Sequence, residues 1–235
     1  MTNETYALLE RYMHSCMGDA AHDREHVYRV LYLALDIAQT EQEVDHDVLI
    51  AAALLHDIGR AEQLADPSVC HALAGGEKAE RFLLAQGFDP AFARRVRRCI
   101  ETHRFRSDDP PASLEAKILF DADKLDVSGA TGIARTLQYG GRTGEPLYTT
   151  GPDGAVLDGE EDAPSFFHEY QFKLKRVASG FHTARAAELA RARQEIAAAF
   201  YESLRQEVCA AYDGRKELTR CLDGRTGKDP HGSCL

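Results

Sequence analysis

Nothing in this 235-residue chain comes near the run of about 20 apolar residues that a membrane-spanning helix needs. The N-terminal residues MTNETYALLERYMHSC carry acid and polar spacing where a signal peptide has an apolar run. There is no block of Lys and Arg long enough for a nucleic-acid or membrane footprint, and the formal net charge is −10. Neither nucleic acid nor membrane is therefore an expected partner. The local cluster Arg94-Arg95-Val96-Arg97-Arg98 reads as the solvated face of an amphipathic helix. Six cysteines (16, 70, 99, 209, 221 and 234) include no C-x-x-C pair and no regular spacing, which points to reduced thiols in a cytoplasmic protein. No stretch alternates as a half-buried strand does, and no internal repeat is visible.

What remains is helix. With 44% hydrophobic and 28% charged residues, the composition is that of a soluble globular protein large enough to bury a real core. Apolar residues recur at helical spacing over about 4–17, 23–40, 46–57, 71–86, 90–103, 113–127, 129–138, 165–178 and 183–211. Asp89-Pro90 marks one helix start and Gly87 the preceding stop, while Ser113 and Thr183 are candidate N-caps. Between 139 and 165 the chain turns rich in Gly, Pro and acids, a long loop with a turn signal at Pro152-Asp153-Gly154. Helical periodicity fades past about 212. The expectation is an all-α fold, a single domain over 1–211 and a flexible tail over 212–235.

Three polar interruptions break the apolar helices. In AHDREHVYRVLYLALDIA, His22, His26 and Arg29 share one helical face, and that face continues into Leu33 and Ile37. In AAALLHDIGR, an apolar segment runs straight into His56-Asp57. In KILFDADKLDVSGATGIAR, Asp123 follows an apolar run, with Asp121, Lys124 and Asp126 around it. Each has a bland reading alone: a hydrogen-bonded core histidine, a turn residue ahead of Gly59, an ion pair of Asp123 with Lys124 or Arg29. Taken together, two His and two Asp at the edges of apolar faces are what a divalent ion recruits. An unpaired buried charge costs several kcal/mol, of which a cation relieves a large part. Imidazole and carboxylate suit Mn, Fe, Co, Ni or Mg better than a structural zinc site built on thiolates.

The order His26, His56-Asp57, Asp123 resembles the H…HD…D pattern of the HD-domain metal-dependent phosphohydrolases. The resemblance is nearer to their YpgQ/YedJ-like bacterial subgroup, with its HDxxHxxRV, LLHDIG and DADxLDxxGAxGIAR segments. Here these are His22 through Val30, Leu54 through Gly59 and Asp121 through Arg135, and a looser likeness extends from about 20 to 211. It implies an HD-domain-like arrangement of helices in which His26, His56, Asp57 and Asp123 ligate one divalent metal ion, manganese first, with Fe, Co, Ni or Mg as alternatives. It further implies a small-molecule nucleotide substrate and hydrolysis of a nucleoside triphosphate to release pyrophosphate. A nucleoside monophosphatase or cyclic-nucleotide phosphodiesterase is the second reading, and a non-catalytic, metal-stapled sensing or interaction module the third. No second set of ligands of the binuclear kind is found next to the HD pair, and the acidic pair of (p)ppGpp hydrolases is absent. His168 is given no role, because its segment aligns with a one-residue slip.

Phosphoryl transfer also needs positive charge or donors around the equatorial oxygens. Lys124 and His103, with Asp57, are the candidate catalytic groups, and Arg29, Arg60, His71 and His22 the candidate substrate contacts. For Lys124 and Arg60 a structural salt bridge is an equal reading, and for His71 and His103 a surface or supporting position. Gly75-Gly76, near a helix start, can approach phosphate. The 139–165 segment reads either as a lid or as a disordered acidic loop. A homo-oligomer is left open.

Overall fold

The structure, a computed structural model, describes residues 1–17, 21–104 and 109–226, without the side chains of 21–23 and 224–226. Its helices are α1 (Asn3–Met17), α2 (Ala21–Ala38), α3 (His46–Leu55), α4 (Arg60–Ala65), α5 (His71–Ala85), α6 (Pro90–Glu101), α7 (Leu114–Asp126), α8 (Gly129–Thr143), α9 (Phe166–Phe172), α10 (Ala184–Asp213) and α11 (Arg215–Thr226). A single 3₁₀ turn, Leu174–Arg176, separates α9 from α10. Among the described residues there is no strand, and no helix is long and apolar enough to cross a membrane.

The centre is α3. Val48, Leu49 and every residue from Ala51 to Leu55 are buried, so the helix has no polar face to offer water. A helix apolar on all sides must be surrounded; α1, α2, α5, α6 and α7 pack around it. Asp45 starts it, its carboxylate accepting from the backbone of Asp47 and Val48. The same chemistry starts α6 at Asp89-Pro90 and α7 at Ser113. The start of α10 differs. Thr183 makes no side-chain cap there; Asp121 of α7 accepts from the backbone N–H of His182 and Thr183 and from the Thr183 hydroxyl (2.7 Å). A carboxylate on a neighbouring helix thus serves as the cap.

A second, smaller cluster joins α8, α9 and α10 through Ile133, Phe167, Leu174 and a stacked pair, Tyr170 and Tyr201, whose ring centroids are 3.9 Å apart. The arginine-rich face of α6 is solvated but paired: Arg95 with Asp45, Arg97 with Glu80 and Glu101, Arg98 with Asp109.

Boundaries depart from the periodicity at the ends of α8 and α10. α8 continues to Thr143 and stops where Gly144 turns left-handed (φ 77°), so the loop begins five residues later than expected. Pro152-Asp153-Gly154 does make a turn, closed by an isolated antiparallel bridge between Thr150 and Val156. Finally, α10 runs through 211 to Asp213 and α11 follows it, where loss of order was expected. All side chains from 211 to 223 are exposed, so this helix has no buried stripe that a periodicity search detects.

Candidate metal centre

Five helices deliver their polar groups to one place. α2 contributes His26; His56 and Asp57 follow the last turn of α3; His71 opens α5; His103 lies just beyond α6; α7 brings Asp123 and Asp126. His26, His56, Asp57, His71 and His103 are all at most 3% exposed.

The protons on these rings are fixed by their second nitrogens. His56 Nδ1 faces the Ala53 carbonyl at 2.8 Å and His103 Nδ1 the Ile100 carbonyl at 2.6 Å. A carbonyl only accepts, so both Nδ1 atoms carry the hydrogen. The two carbonyls belong to the last turns of α3 and α6, and that of Ile100 also accepts from the backbone N–H of Thr102 and His103. His71 Nδ1 lies 2.9 Å from Gln63 Oε1, which also accepts from Arg60 Nη1 at 3.3 Å. The guanidinium can only donate, which orients the amide. His26 Nδ1 meets Asp126 Oδ2 at 2.8 Å. In the neutral tautomer each ring therefore presents a bare Nε2.

Those bare nitrogens converge on carboxylates. His26 Nε2 is 3.4 Å from His56 Nε2, 3.1 Å from Asp123 Oδ1 and 3.6 Å from Asp57 Oδ2. His56 Nε2 is 3.7 Å from that same Asp57 oxygen. Ligands about 2.1 Å from a common ion sit about 3.0 Å apart when adjacent and about 4.2 Å apart when opposite. All four separations fall in that interval. The donor set fits a divalent cation, which His26, His56, Asp57 and Asp123 would hold. Asp123, whose side chain is 25% exposed against 4% or less for the other three, marks the solvent side.

The electrostatics agree. Burial holds His56 neutral, its pKa pushed down to about 4 against the pull of Asp57. Burial opposes charge on His26 as well, but hydrogen bonds to Asp123 and Asp126 outweigh it and lift the ring to about 9. Burial alone would raise Asp57 and Asp123. Instead His56 and Arg60 keep Asp57 well below the usual carboxylate range, and His26 brings Asp123 down to about 2. Without a metal ion, a proton on His26 supplies the counter-charge the carboxylates need.

Asp57 faces two ways. Its Oδ1 accepts from Arg60 Nε at 2.9 Å and lies 3.5 Å from His71 Nε2 and 3.8 Å from His103 Nε2. Asp57, His71 and His103 thus form a second group of metal-competent atoms beside the first, where the sequence suggested one ligand set only.

Other expected contacts are placed differently. Lys124 is buried, and its ammonium donates to the carbonyls of Ser179 and Gly180 and lies over the Phe181 ring. Arg29 grips Asp126 through Nε (2.6 Å) and Nη2 (3.0 Å), and Arg135 reaches the same carboxylate at 3.2 Å. Lys124 is thus engaged by backbone carbonyls and Arg29 by Asp126, while Arg60 makes the salt bridge that was its alternative reading, to Asp57. Gly75-Gly76 is also structural. A Cβ on Gly59 would meet the His71 carbonyl at 2.2 Å and Gly75 N at 2.6 Å, while one on Gly76 would meet Glu101 and Arg97. The glycines let α5 close on the HD turn and on α6. The His22 side chain lies outside the described residues. His168 donates from Nδ1 to the Glu161 carbonyl at 2.7 Å, within the 144–165 loop. Asp126 and Gln63 were not singled out by sequence; only the i, i+3 spacing of Asp123 and Asp126 hinted at the former.

The HD domain family model matches residues 24–128, which contain all four proposed ligands. YpgQ, an uncharacterised protein of Bacillus subtilis (strain 168), is 32% identical over 193 residues, covering 80% of this chain and 85% of YpgQ. The YpgQ crystal structure superposes with a TM-score of 0.66 at 28% identity, covering 87% of this chain and 96% of that one. A YpgQ structure in complex with ADP gives 0.65 at 27% identity, covering 87% and 95%. An HD-superfamily hydrolase from Bacillus thuringiensis gives 0.67 at 26% identity, covering 87% and 96%. With its H…HD…D residues gathered as a cation requires, the chain belongs to the HD-domain family and is a metal-dependent hydrolase of that superfamily.

Proposed function

We propose that this hydrolase cleaves nucleotides, and that its reaction is the release of pyrophosphate from a nucleoside triphosphate. The observation that carries the proposal is the convergence of the His26 and His56 Nε2 atoms with Asp57 and Asp123 at one solvent-facing point. The nucleotide is supported by the relative YpgQ, whose structure was determined with ADP. A bound divalent ion supplies Lewis acidity toward water and a phosphoryl oxygen.

The chain's own groups prepare that position. Asp126, clamped by Arg29 and Arg135, holds the proton on His26 Nδ1 and so keeps Nε2 free for the cation. Arg60 is the charged group at the edge: its side chain is 41% exposed while its Nε binds Asp57, so the remaining guanidinium face can meet phosphate. The all-nitrogen and oxygen donor set favours manganese, with iron, cobalt, nickel or magnesium as competitors. Free cysteines at 16, 70, 99, 209 and 221 accord with a cytoplasmic setting.

The test is a screen of nucleoside mono-, di- and triphosphates and cyclic nucleotides against Mn, Co, Ni, Fe and Mg, with products separated. Pyrophosphate from triphosphates is the expected product. Orthophosphate from monophosphates, or turnover of cyclic substrates alone, would replace the subtype; no turnover with any metal would overturn the nucleotide reading.

A further inference from the structure

Of the four arginines on α6, three are paired with carboxylates: Arg95 with Asp45 and Glu115, Arg97 with Glu80 and Glu101, Arg98 with Asp109 and Glu101. Arg94 is the exception. Among the described residues it is exposed and makes no hydrogen bond or ion pair. It lies one helical turn from Arg98 on the same face, a spacing at which like charges oppose each other. Arg94, Arg95 and Arg98 together border a cavity of about 380 Å³ between α6 and the start of α7. Among the described residues no carboxylate borders it. Ala91, Ala112 and Ala116 supply a small, apolar part of its wall, and the arginines add hydrocarbon stems below their charged heads. The two hydroxyls there are already engaged: Thr102 donates to the Arg98 carbonyl at 2.9 Å, and Ser113 accepts from the Ala116 N–H at 3.1 Å. The guanidinium heads therefore set the chemistry.

We propose that this cavity binds a small organic phosphate, its oxygens between Arg94 and Arg98 and its apolar body against the three alanines. A guanidinium presents paired N–H donors that match phosphate oxygens. Arg94 has its whole fork to offer. Arg98 turns Nη1 and Nη2 toward Asp109, which leaves its Nε as a donor. An anion between the two would also relieve their mutual repulsion. The volume sits at the small end of the roughly 300–1,000 Å³ of small-molecule pockets, which favours a metabolite over a protein segment. The cavity is separate from the metal centre. It meets α7 at Ala116, seven residues before Asp123 and so about 10 Å away along the helix. The inference does not depend on the reaction proposed above.

Full-length protein, kept in chelator so that no cation anchors phosphate at the metal centre, should be titrated by calorimetry at low ionic strength. Phenyl phosphate and inorganic phosphate are the probes. Phenyl phosphate should bind at one equivalent, and more tightly than inorganic phosphate. Arg94→Gln should weaken it roughly tenfold, the loss of one charge-assisted contact. Ala112→Glu sets a carboxylate in the cavity and should abolish binding, while Arg60→Gln should leave it unchanged. Arg94 and Ala112 are both exposed, so neither substitution disturbs the core. No binding to the wild type, or binding that survives both Arg94→Gln and Ala112→Glu intact, would overturn the site. Binding lost in Arg60→Gln and kept in Arg94→Gln would place the anion at the metal centre and overturn it equally. Equal affinity for the two probes would overturn the organic ligand, since the alanines would then contribute nothing.

Discussion

Asp126 Oδ2 lies 2.8 Å from His26 Nδ1, joining two residues 100 positions apart in sequence. The bond does more than orient a ring. It determines which nitrogen of His26 is bare, and two arginines hold the carboxylate that makes it. Outer partners of this kind are worth about 10–100-fold in metal affinity. Asp126→Ala should therefore bind Mn(II) about 10–100-fold more weakly by calorimetry while keeping the stoichiometry at the first position. Equal affinity in the variant would show that the His26 ring is oriented by packing alone.

His56→Ala and His26→Ala should behave differently, since each deletes an atom that would touch the ion. Metal and activity should disappear together. Elemental analysis after gel filtration is the measurement, and full occupancy in either variant would refute the ligand assignment.

Lys124 tests how far adjacency in sequence misleads. It follows Asp123 directly, but successive helical residues turn by about 100°, which carries its ammonium to Ser179 and Gly180. Burial lowers its pKa, and Asp121 is the carboxylate that opposes this. Lys124→Met should leave two carbonyls short of a donor, lowering stability by about 1–3 kcal/mol in denaturant melts. The kcat/KM of the folded fraction should stay near wild type. A selective loss of turnover with unchanged stability would return Lys124 to the catalytic role.

The same contrast explains which parts of the site are legible in sequence. His26, His56, Asp57 and Asp123 stand out because each interrupts an apolar helical face, where a charge needs a partner. Most of the helices follow from periodicity, with Asp89 and Ser113 marking two of their starts. His71 and His103 are visible as residues, yet nothing local says that they meet. Their approach to Asp57 depends on the packing of α5 against α6 and on the absence of side chains at Gly59 and Gly75. Lys124 and Arg29 show the opposite limit: charge near a site says nothing about direction, and both side chains are engaged by protein groups. The start of α10 has the same character, since its cap lies on α7.

Gly59 offers a test of that packing. Its φ of −91° is open to any residue, so the constraint is space alone. Gly59→Ala would push a methyl into the His71 carbonyl and the Gly75 backbone, neither of which can move cheaply. The expected cost is about 1–3 kcal/mol in equilibrium unfolding, as for overpacked cores. An unchanged midpoint would mean that the HD turn and α5 are free to separate.

Removing the metal tests the problem posed by the AAALLHDIGR segment, a carboxylate at the end of an apolar helix. In the cation-free protein, Asp57 leans on the His56 and His26 rings and on Arg60, and His26 must hold a proton. Replacing that arrangement with a divalent ion should stabilise the fold, because the ion binds only the assembled site. At free Mn(II) 100-fold above Kd the gain is about 2.7 kcal/mol. Chelator should therefore lower the melting temperature, and Mn(II) should restore it in a concentration-dependent way. Asp57→Asn removes the charge and keeps the volume, so its chelator effect should be smaller than that of the wild type and its activity absent. If chelator leaves the wild-type melting curve unmoved and Asp57→Asn still hydrolyses nucleotide, then His56 and Asp57 are a buried polar pair and the cation belongs elsewhere.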